Sequence, residues 1–257
     1  MCDTCGCGDD AARIAALPAH DHPHEHDHDH PHPHPHDDAA TPTRTVVLEE
    51  RVLSRNDELA ARNRAAFATR GIVAVNVMSS PGSGKTTLLE RTVRELGPAR
   101  PVCVLEGDQE TTLDAERIRA TGAPVVQVNT GAGCHLDADM LRRGIDALAP
   151  PDGALLFVEN VGNLVCPALF DLGESVRVVV MAVTEGDDKP LKYPHMFRTA
   201  DVVLLNKTDL LPYVDFDVAR CTESVRRLNS ATEVLPVSAT RGTGLAEWYR
   251  WLGAWSR

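Results

Sequence analysis

The sequence predicts an α/β fold in which a mainly parallel β-sheet is covered by helices on both faces and is preceded by a disordered tail. Two observations lead to this prediction. Short apolar segments alternate with helical segments along most of the chain, which is typical of a buried parallel sheet. Residues 1–44 hold too little apolar sequence to form a core. We therefore predict a tail at residues 1–44 and one domain at residues 45–257.

The individual elements follow from apolar periodicity and from the residues that end each segment. A helix is predicted over residues 45–70, where Val52, Leu59 and Phe67 recur near helical spacing before Gly71. The predicted strands span residues 72–78, 101–105, 124–128, 154–158, 176–183, 201–206 and 233–237. Further helices are predicted at residues 85–96, 112–120, 138–148, 215–229 and 244–255. Ligands of such sheets bind at the C-terminal ends of the strands.

Charge and composition exclude several classes of function. The tail holds nine acidic residues against Arg13 and Arg44, so it carries seven of the eleven net negative charges. The four that remain on the domain argue against a general nucleic-acid binder. No apolar run approaches the roughly 18 residues of a membrane span, and the N-terminus does not resemble a signal peptide. We expect a cytoplasmic protein whose seven cysteines are reduced thiols or metal ligands.

The tail contains nine histidines at alternating positions, separated by Asp, Pro and Glu. They are His20, His22, His24, His26, His28, His30, His32, His34 and His36. Alternating His-Pro and His-Asp sequence keeps the backbone extended and the imidazoles close together, so the segment can hold several borderline metal ions weakly. A solvated spacer is the alternative interpretation.

Three of the seven cysteines lie at the start of the tail. Cys2, Cys5 and Cys7 fall within six residues, with Gly6 and Gly8 adding flexibility. Three thiolates, with the chain's own amine, can surround one ion in a planar arrangement, which favours Ni(II) or Cu(II). The spacing of the first two cysteines also suits zinc, so the pattern leaves the metal open.

A phosphate-binding loop is predicted where the first strand meets the next helix, at "SSPGSGKTT". Gly82 and Gly84 let backbone N–H groups close around phosphate, Lys85 can reach the β and γ oxygens, and Thr86 can offer its hydroxyl to Mg²⁺. Ser79 departs from the motif, which has glycine at this position. The predicted nucleotide-binding residues of this segment are Pro81, Gly82, Ser83, Gly84, Lys85, Thr86 and Thr87.

A guanine clamp is predicted at "NKTD", directly after another strand. Asp209 supplies two acceptors to the N1–H and amine donors of guanine, whereas adenine presents an acceptor there. Asn206 can bond the other edge of the purine, and the stem of Lys207 can cover its face. Ser238 and Ala239 follow the last strand and can place backbone N–H groups near the guanine carbonyl. Together these residues favour GTP over ATP.

Two further segments supply acids and a switch glycine. Asp108 follows the second strand and is placed to hold Mg²⁺ through water or to orient the attacking water; an ordinary loop acid is the alternative. Glu159 and Gly162 fit a switch segment whose glycine N–H senses the γ-phosphate. We predict that Lys85 and Asp108 act in catalysis, that Thr86, Asp108 and Glu159 hold Mg²⁺, and that Gly162 contacts nucleotide.

Soft metal ligands lie beyond two strand ends, on the nucleotide side of the sheet. Cys134, His135 and Cys166 form a set suited to zinc or nickel, with one coordination place left for water, a partner or a second copy of the chain. Packed or incidental thiols are the alternative. For Cys103, inside an apolar strand, and Cys221, on a predicted helix, we expect simple packing.

Together, the segments "CDTCGCG", "SSPGSGKTT", "EGDQETT", "GCHLDADM", "ENVGNLVCP", "EGDDKPLKYP" and "NKTDLLP" resemble the hydrogenase nickel incorporation GTPases, the HypB family. The resemblance covers essentially the whole chain. It implies a GTPase of the signal-recognition-particle and MinD-like P-loop class, with GTP, Mg²⁺, Ni²⁺ and Zn²⁺ as ligands. It also implies nickel delivery to a [NiFe]-hydrogenase large-subunit precursor, together with a small zinc-containing HypA-type chaperone.

The same resemblance assigns roles to individual residues. In the family, the residues that match Cys2, Cys5 and Cys7 form a tight nickel site, and the histidine tail is a variable feature linked to nickel storage. The residues that match Cys134, His135 and Cys166 form a metal site at or near a nucleotide-dependent homodimer interface. Lys189 is expected near the guanine pocket of the second copy.

Two rival functions remain open at this point. A urease accessory GTPase also carries a histidine-rich start, but it is expected to have a Cys-Pro-His motif, whereas this chain has Cys134-His135 and a separate Cys166. A nickel storage protein with secondary GTPase activity belongs to a different class; its loss would matter under nickel excess. A translation or signalling GTPase leaves the thiols and histidines unexplained.

Overall fold

A computed structural model of the protein describes residues 44–108, 113–131 and 133–255. The predictions on the tail, with its three cysteines and nine histidines, lie outside these residues. One compact unit of the chain comprises Val52–Arg257, and the elements that follow belong to it, apart from the first residues of the first helix.

A seven-stranded sheet forms the centre of this unit. Its strands are β1 (Val73–Ser79), β2 (Val102–Asp108), β3 (Val125–Asn129), β4 (Leu155–Gly162), β5 (Val176–Ala182), β6 (Val202–Asn206) and β7 (Glu233–Pro236). Their order is β3-β2-β4-β1-β5-β6-β7, and each neighbouring pair is parallel. The predicted fold class is thereby confirmed.

The helices are α1 (Arg44–Arg70), α2 (Lys85–Leu96), α3 (Leu113–Arg119), α4 (Ala138–Leu148), α5 (Cys166–Leu169), α6 (Lys189–Lys192), α7 (Pro194–Arg198), α8 (Val218–Leu228) and α9 (Leu245–Ala254). The predicted helices are all present with bounds within a few residues. The short helices α5, α6 and α7 were not predicted, because segments of four or five residues with proline in the first turn show no helical periodicity.

Side-chain alternation along β1 explains why helices cover both faces. Val75 and Val77 pack in one buried cluster with residues of α2, α3 and α9. Ala74 belongs to a second cluster with residues of α1 and α4, and Met78 to a third with residues of α7 and α8. Because successive strand residues point to opposite faces, one apolar strand supplies both halves of the core.

Strands β2 and β4 extend three and four residues beyond their predicted ends, and this extension positions the site. Sequence reasoning placed Asp108 and Glu159 in loops after these strands. In the structure Asp108 is the last residue of β2 and pairs with Asn129, while Glu159 lies within β4 beside Glu106. The parallel ladder holds these polar residues in strand geometry even though their composition does not favour strands.

Buried asparagines on α1 fix this helix to the start of α4 and to the segment before β5. Asn63 Nδ2 donates to the carbonyl oxygens of Ala138 and Leu172 at 2.9 and 3.0 Å. Asn56 accepts from the backbone N–H of Ala138 at 2.9 Å and donates to the Asp171 carbonyl at 2.8 Å. Apolar spacing predicted the helix but not these polar anchors. Across the described part of the chain, no helix combines the length and the apolar character that crossing a membrane requires.

Candidate functional site

The turn between β1 and α2 forms a phosphate-sized cradle. Gly82 and Gly84 adopt φ values of +74° and +95°, and Gly84 is the residue that precedes the first turn of α2. The residues of this turn and the first residues of α2 line a cavity of about 400 Å³, and the N–H groups of a helix start favour an anion in such a place. The residues that line the cavity are Pro81, Gly82, Ser83, Gly84, Lys85, Thr86, Thr87, Asp108, Asp114, Arg117, Glu159, Val161 and Gly162.

Replacement of Gly84 by alanine should lower stability more than the same change at Gly82. Both positions have positive φ, which costs an alanine roughly 1–2 kcal/mol. At residue 84 the new Cβ would also lie 2.6 Å from Asn206 Nδ2, whereas at residue 82 nothing lies within 4 Å. We expect the Gly84→Ala protein to melt several degrees below the Gly82→Ala protein, at about 2–4 °C per kcal/mol. Equal melting temperatures by calorimetry would contradict the close packing of Asn206 on this turn.

The serine that replaces the first glycine of the loop motif holds the loop lysine. Lys85 Nζ donates to Ser79 Oγ at 2.9 Å, and Ser79 Oγ donates to the Ser80 carbonyl at 2.6 Å. Thr86 Oγ1 donates to Glu159 Oε1 at 2.7 Å. Lys85 and Thr86 are also buried. Because each has a hydrogen-bond partner in the same chain, both predicted phosphate-site side chains are held in place without a ligand.

Four carboxyl groups, those of Glu106, Asp108, Asp114 and Glu159, cluster beside this loop. Glu106 and Glu159 are register partners on β2 and β4, and both are buried. Burial, followed by the charges of Glu159, Asp108 and Asp114, raises the pKa of Glu106 to about 8, while Lys85 opposes the shift. Burial also raises the pKa of Glu159, against Lys85 and Thr86. Carboxylate oxygens and a threonine hydroxyl are ligands that Mg²⁺ prefers, so the residues fit this ion.

Glu106 and Asp114 were missed by sequence reasoning, as was Arg117. Arg117 Nη2 lies 2.7 Å from Glu90 Oε2 and 2.9 Å from Thr87 Oγ1, and Nη1 lies 3.2 Å from Asp114 Oδ1. The helix that carries Asp114 and Arg117 was predicted, but its packing beside the phosphate cavity and against α2 is a tertiary contact that local periodicity does not show. Glu106 had a usable signal: it lies two residues before Asp108 in a strand, so both side chains share one face.

The predicted guanine-clamp residues surround the same loop. Asn206 Nδ2 donates to the Ser83 carbonyl at 2.9 Å, and Asn206 Oδ1 accepts from the Ala239 N–H at 3.0 Å. The side chain of Asn206 therefore braces two loops, and its bond to the purine edge stays a prediction. The Ala239 N–H, predicted to face the guanine carbonyl, is likewise engaged by Asn206.

Lys207 and Asp209 complete this part of the site. Lys207 has a φ of +61° and donates from Nζ to the Gly82 carbonyl at 2.6 Å, which lays its stem across the loop. Asp209 Oδ1 accepts from Ser238 Oγ at 2.5 Å. Both side chains are only half-buried, so they border solvent at the mouth of the site.

The predicted metal ligands meet beyond the ends of β3 and β4. The candidate ligand atoms of Cys134, His135 and Cys166 lie within 4.8 Å of one another, and the two Sγ atoms are 2.8 Å apart. The His135 ring stacks on Phe170 at a centroid distance of 3.9 Å. Burial lowers the pKa of His135, with Asp137 opposing, which favours the neutral imidazole that binds metal. Cys103 and Cys221 are buried in the core, as expected.

A bulge in β4 connects the phosphate cavity to this cysteine-histidine triad. The β1–β4 register shifts so that Val77 pairs with Glu159 but Ser79 pairs with Gly162, which leaves one extra residue on β4. Asn160, within this bulge, accepts from the N–H of Leu136 at 3.1 Å. Gly162 packs on the loop, since a Cβ there would lie 3.2 Å from Pro81, and Cys166 follows four residues later.

Lys189 has a partner within its own chain. Its Nζ lies 2.8 Å from Glu185 Oε2 and 5.4 Å from the centre of the Tyr193 ring. The same Glu185 oxygen accepts from Ser80 Oγ of the loop, and Glu185 Oε1 accepts from the Ala182 N–H. The expectation of a contact with the guanine pocket of a second copy stays a prediction.

A parallel sheet with this turn between β1 and α2 defines the class of P-loop nucleotide-binding domains. Residues 73–236 match the family described as "CobW/HypB/UreG, nucleotide-binding domain". The chain belongs to this family, and within it to the HypB maturation factors.

Relatives with curated names support this placement. A hydrogenase maturation factor HypB of Azotobacter chroococcum is 58% identical over 210 residues, which cover 82% of this chain and 69% of the relative. The factor of the same name from Escherichia coli is 56% identical, with 81% and 72% covered. The "Hydrogenase/urease maturation factor HypB" of Helicobacter pylori is 39% identical, with 81% and 87% covered.

Two solved structures share the fold. HypB from Archaeoglobus fulgidus superposes with a TM-score of 0.74 at 39% identity, covering 79% of this chain and all of that one. HypB from Helicobacter pylori in complex with nickel gives a TM-score of 0.74 at 38% identity, covering 79% and 95%.

Proposed function

We propose that the protein is a GTP-hydrolysing nickel metallochaperone that delivers nickel during [NiFe]-hydrogenase maturation. The observation that carries the proposal is the position of Cys134, His135 and Cys166. These soft ligands lie together, and Cys166 is four residues along the chain from Gly162, which lines the phosphate cavity. A HypB relative solved with nickel and the names of the curated relatives support the choice of metal and of pathway.

Guanine selection rests on Asp209. Its second carboxylate oxygen can accept from N1–H or the amine of guanine while Oδ1 stays bonded to Ser238. Lys207 lies across the loop and offers its apolar stem as a surface for the base. Asn206 contributes indirectly, since it holds Ser83 and Ala239 in place on either side of the proposed base position.

Hydrolysis is assigned to the groups at the ends of β2 and β4. Mg²⁺, when bound, neutralises phosphate charge as it develops in the transition state. Thr86 Oγ1 lies 2.7 Å from Glu159 Oε1, and these two side chains would hold the ion together with Asp108. When nucleotide binds, Lys85 Nζ would leave Ser79 Oγ and donate to phosphate oxygens instead. Asp108 would orient the attacking water. The Gly162 N–H would contact the γ-phosphate and change position when it leaves.

Nickel is the cargo of the proposed reaction. The thiolates of Cys134 and Cys166 with the neutral imidazole of His135 supply three ligands, and water or a residue of a partner would supply the next. Zinc can compete for the same ligands. We assign Cys2, Cys5 and Cys7 to a tighter nickel site, and the nine tail histidines to a reservoir. The proposed partners are a HypA-type chaperone, the hydrogenase large-subunit precursor and a second copy of the chain, which joins when nucleotide is bound.

Deletion of residues 20–38 should remove most weakly bound nickel and leave GTP hydrolysis nearly unchanged. The reason is that this segment holds the nine alternating histidines, whereas the proposed hydrolytic groups all lie in the sheet domain. Equilibrium dialysis measures the nickel bound per chain, and phosphate release measures hydrolysis. An unchanged nickel stoichiometry would contradict the reservoir.

One comparison favours a second candidate function. The Helicobacter pylori relative is named a hydrogenase/urease maturation factor, so nickel delivery to urease is the alternative assignment. A strain that lacks the gene separates the two. We expect loss of hydrogenase activity in low nickel, recovery with added nickel, and complementation by the intact gene but not by a Cys166→Ala version. Normal hydrogenase activity with impaired urease would favour the alternative, and a defect confined to nickel excess would favour storage.

A further inference from the structure

Glu106 is a buried acid next to the phosphate cavity with no role in the proposed chemistry so far. It lies on β2 two residues before Asp108, on the same face of the strand, and its register partner on β4 is Glu159. Its side chain is 2% exposed and that of Glu159 is 3% exposed. Two carboxyl groups thus lie side by side in the interior, directly under the residues proposed to hold Mg²⁺.

One oxygen of each carboxyl group lacks a protein partner. Among the described residues, Glu106 Oε2 and Glu159 Oε2 are buried and accept no hydrogen bond. Leaving such an acceptor unsatisfied is costly, so a buried group of this kind indicates that something else satisfies it. Both orphaned atoms belong to neighbouring strands at the same level of the sheet, and one ligand shell can therefore serve both.

Another buried glutamate of this chain, Glu174, has hydrogen-bond donors for both carboxylate oxygens. Glu174 accepts from Arg177 at 2.6 Å and Asn76 at 3.2 Å through Oε1, and from the Leu172 N–H at 2.8 Å through Oε2. Both of its oxygens are satisfied within the fold. Glu106 instead has Glu159, Asp108 and Asp114 as its acidic neighbours, with Lys85 as the cation that opposes them.

The groups that would satisfy Glu106 Oε2 and Glu159 Oε2 can be identified from the chemistry of a carboxylate. With a pKa of about 8, Glu106 is largely protonated at neutral pH in the nucleotide-free protein, and a cation that enters the cluster favours its carboxylate form. A carboxylate is an acceptor only, so its partner must then donate hydrogen bonds. Mg²⁺ gives up its waters reluctantly and usually keeps several of them when protein and phosphate ligands bind it. Waters held by Mg²⁺ supply both features at once, because they are donors and they carry the ion's positive charge into the cluster.

We propose that Glu106 is a positioning residue of the magnesium site, whose carboxylate accepts hydrogen bonds from water bound to Mg²⁺ together with Glu159. Glu106 thereby helps to hold the ion against the Thr86 hydroxyl and the phosphates without touching the nucleotide. The inference rests on the proposed nucleotide site and adds to it a residue that acts through the metal's water shell.

The test is the Mg²⁺ dependence of nucleotide binding by the full chain. Wild-type, Glu106→Gln, Glu106→Asp and Glu174→Gln proteins are loaded with a fluorescent N-methylanthraniloyl-GDP, and its retention is measured as Mg²⁺ is titrated. Second-sphere partners of metal sites typically contribute 10–100-fold to metal affinity. We expect Glu106→Gln to raise the half-saturating Mg²⁺ concentration at least tenfold, and Glu106→Asp, which keeps the charge, to raise it less.

The matched control and the melting temperature separate a metal role from a structural one. Glu174→Gln should leave Mg²⁺ dependence unchanged and lower the melting temperature of the nucleotide-free protein, because it removes a satisfied acceptor. Glu106→Gln should not lower that temperature, because glutamine is close in shape to the protonated Glu106 that the raised pKa favours at neutral pH. A half-saturating Mg²⁺ concentration within twofold of wild type, in Glu106→Gln or in a folded Glu106→Asp protein, would overturn the proposal. If wild-type protein retains the nucleotide equally well without Mg²⁺, the proposal fails and the nucleotide site stands; if it does not bind the nucleotide at all, the proposed nucleotide site fails as well.

Discussion

Replacement of Asp209 by asparagine is expected to weaken GTP binding by about 2–3 kcal/mol, roughly 30- to 150-fold, and to create a preference for XTP. Asparagine presents a donor where the carboxylate presents an acceptor, and xanthine carries a carbonyl where guanine carries its amine. The side chain can still accept from Ser238 through its remaining oxygen, so the contact between the segments after β6 and β7 should persist.

Fluorescence titration with labelled GTP and XTP measures both affinities. Asp215→Asn is the matched control, because Asp215 is an exposed acid six residues further along the chain and should not affect base choice. Unchanged GTP affinity in the Asp209→Asn protein would remove the basis for guanine selection, and loss of both nucleotides would indicate a structural role for Asp209.

Replacement of Cys166 by alanine is expected to abolish metal binding by the domain at micromolar concentrations. Cys166 Sγ lies 2.8 Å from Cys134 Sγ, and removal of either thiol leaves two ligands. Loss of an outer-sphere partner typically costs 10–100-fold in metal affinity, so loss of a direct ligand should cost at least roughly 100-fold.

Cys221→Ala provides the control for a generic effect of removing a buried thiol. Cys221 is fully buried on α8, and the sulfur neighbour of its Sγ is Met181, at 4.0 Å. We expect this variant to lose some stability and to keep the metal affinity of the wild type. Equal losses of metal in both variants by isothermal titration would show that the triad is not the binding site.

The sheet and its main helices were predictable because their signals are local. Apolar runs such as that of β1, and the periodicity before Gly71, depend on residues close together in the chain. The glycine turn at Gly82 and Gly84 was predictable for the same reason, since only its flanking strand and helix were needed to interpret it. The triad needed one further rule, that parallel strands bring their C-terminal ends to one edge.

The residues that were missed depend on non-local register. Glu106 acquires its significance from Glu159, 53 positions away, and only the β2–β4 pairing brings the two acids together. Asn160 accepts a hydrogen bond from Leu136, next to His135, because it lies in a bulge of β4. The local sequence does not predict this bulge. The hydrogen bond from Asn206 to Ser83 was not predicted, because it is a tertiary contact between residues 123 positions apart in the chain.

The central claim is that one segment, from Glu159 to Cys166, couples the state of the nucleotide to the affinity for nickel. Glu159, at its beginning, accepts a hydrogen bond from Thr86, and Gly162 packs on Pro81. Asn160, in its bulge, accepts from Leu136 next to His135, and the segment ends at Cys166, a proposed metal ligand. Movement of this segment when the γ-phosphate leaves would change the ligand geometry. Linkage then requires nickel to change nucleotide affinity by the same factor.

The direct measurement is a nickel titration of protein loaded with GDP and of protein loaded with a non-hydrolysable GTP analogue. A variant that lacks residues 1–43 removes the competing tail ligands and keeps α1. The account predicts nickel affinities that differ between the two states by roughly 5- to 150-fold, a coupling of about 1–3 kcal/mol, and no difference in a Cys166→Ala version. Equal affinity in both states, with Cys166→Ala making no difference, would contradict the claim that the nucleotide controls metal through this site.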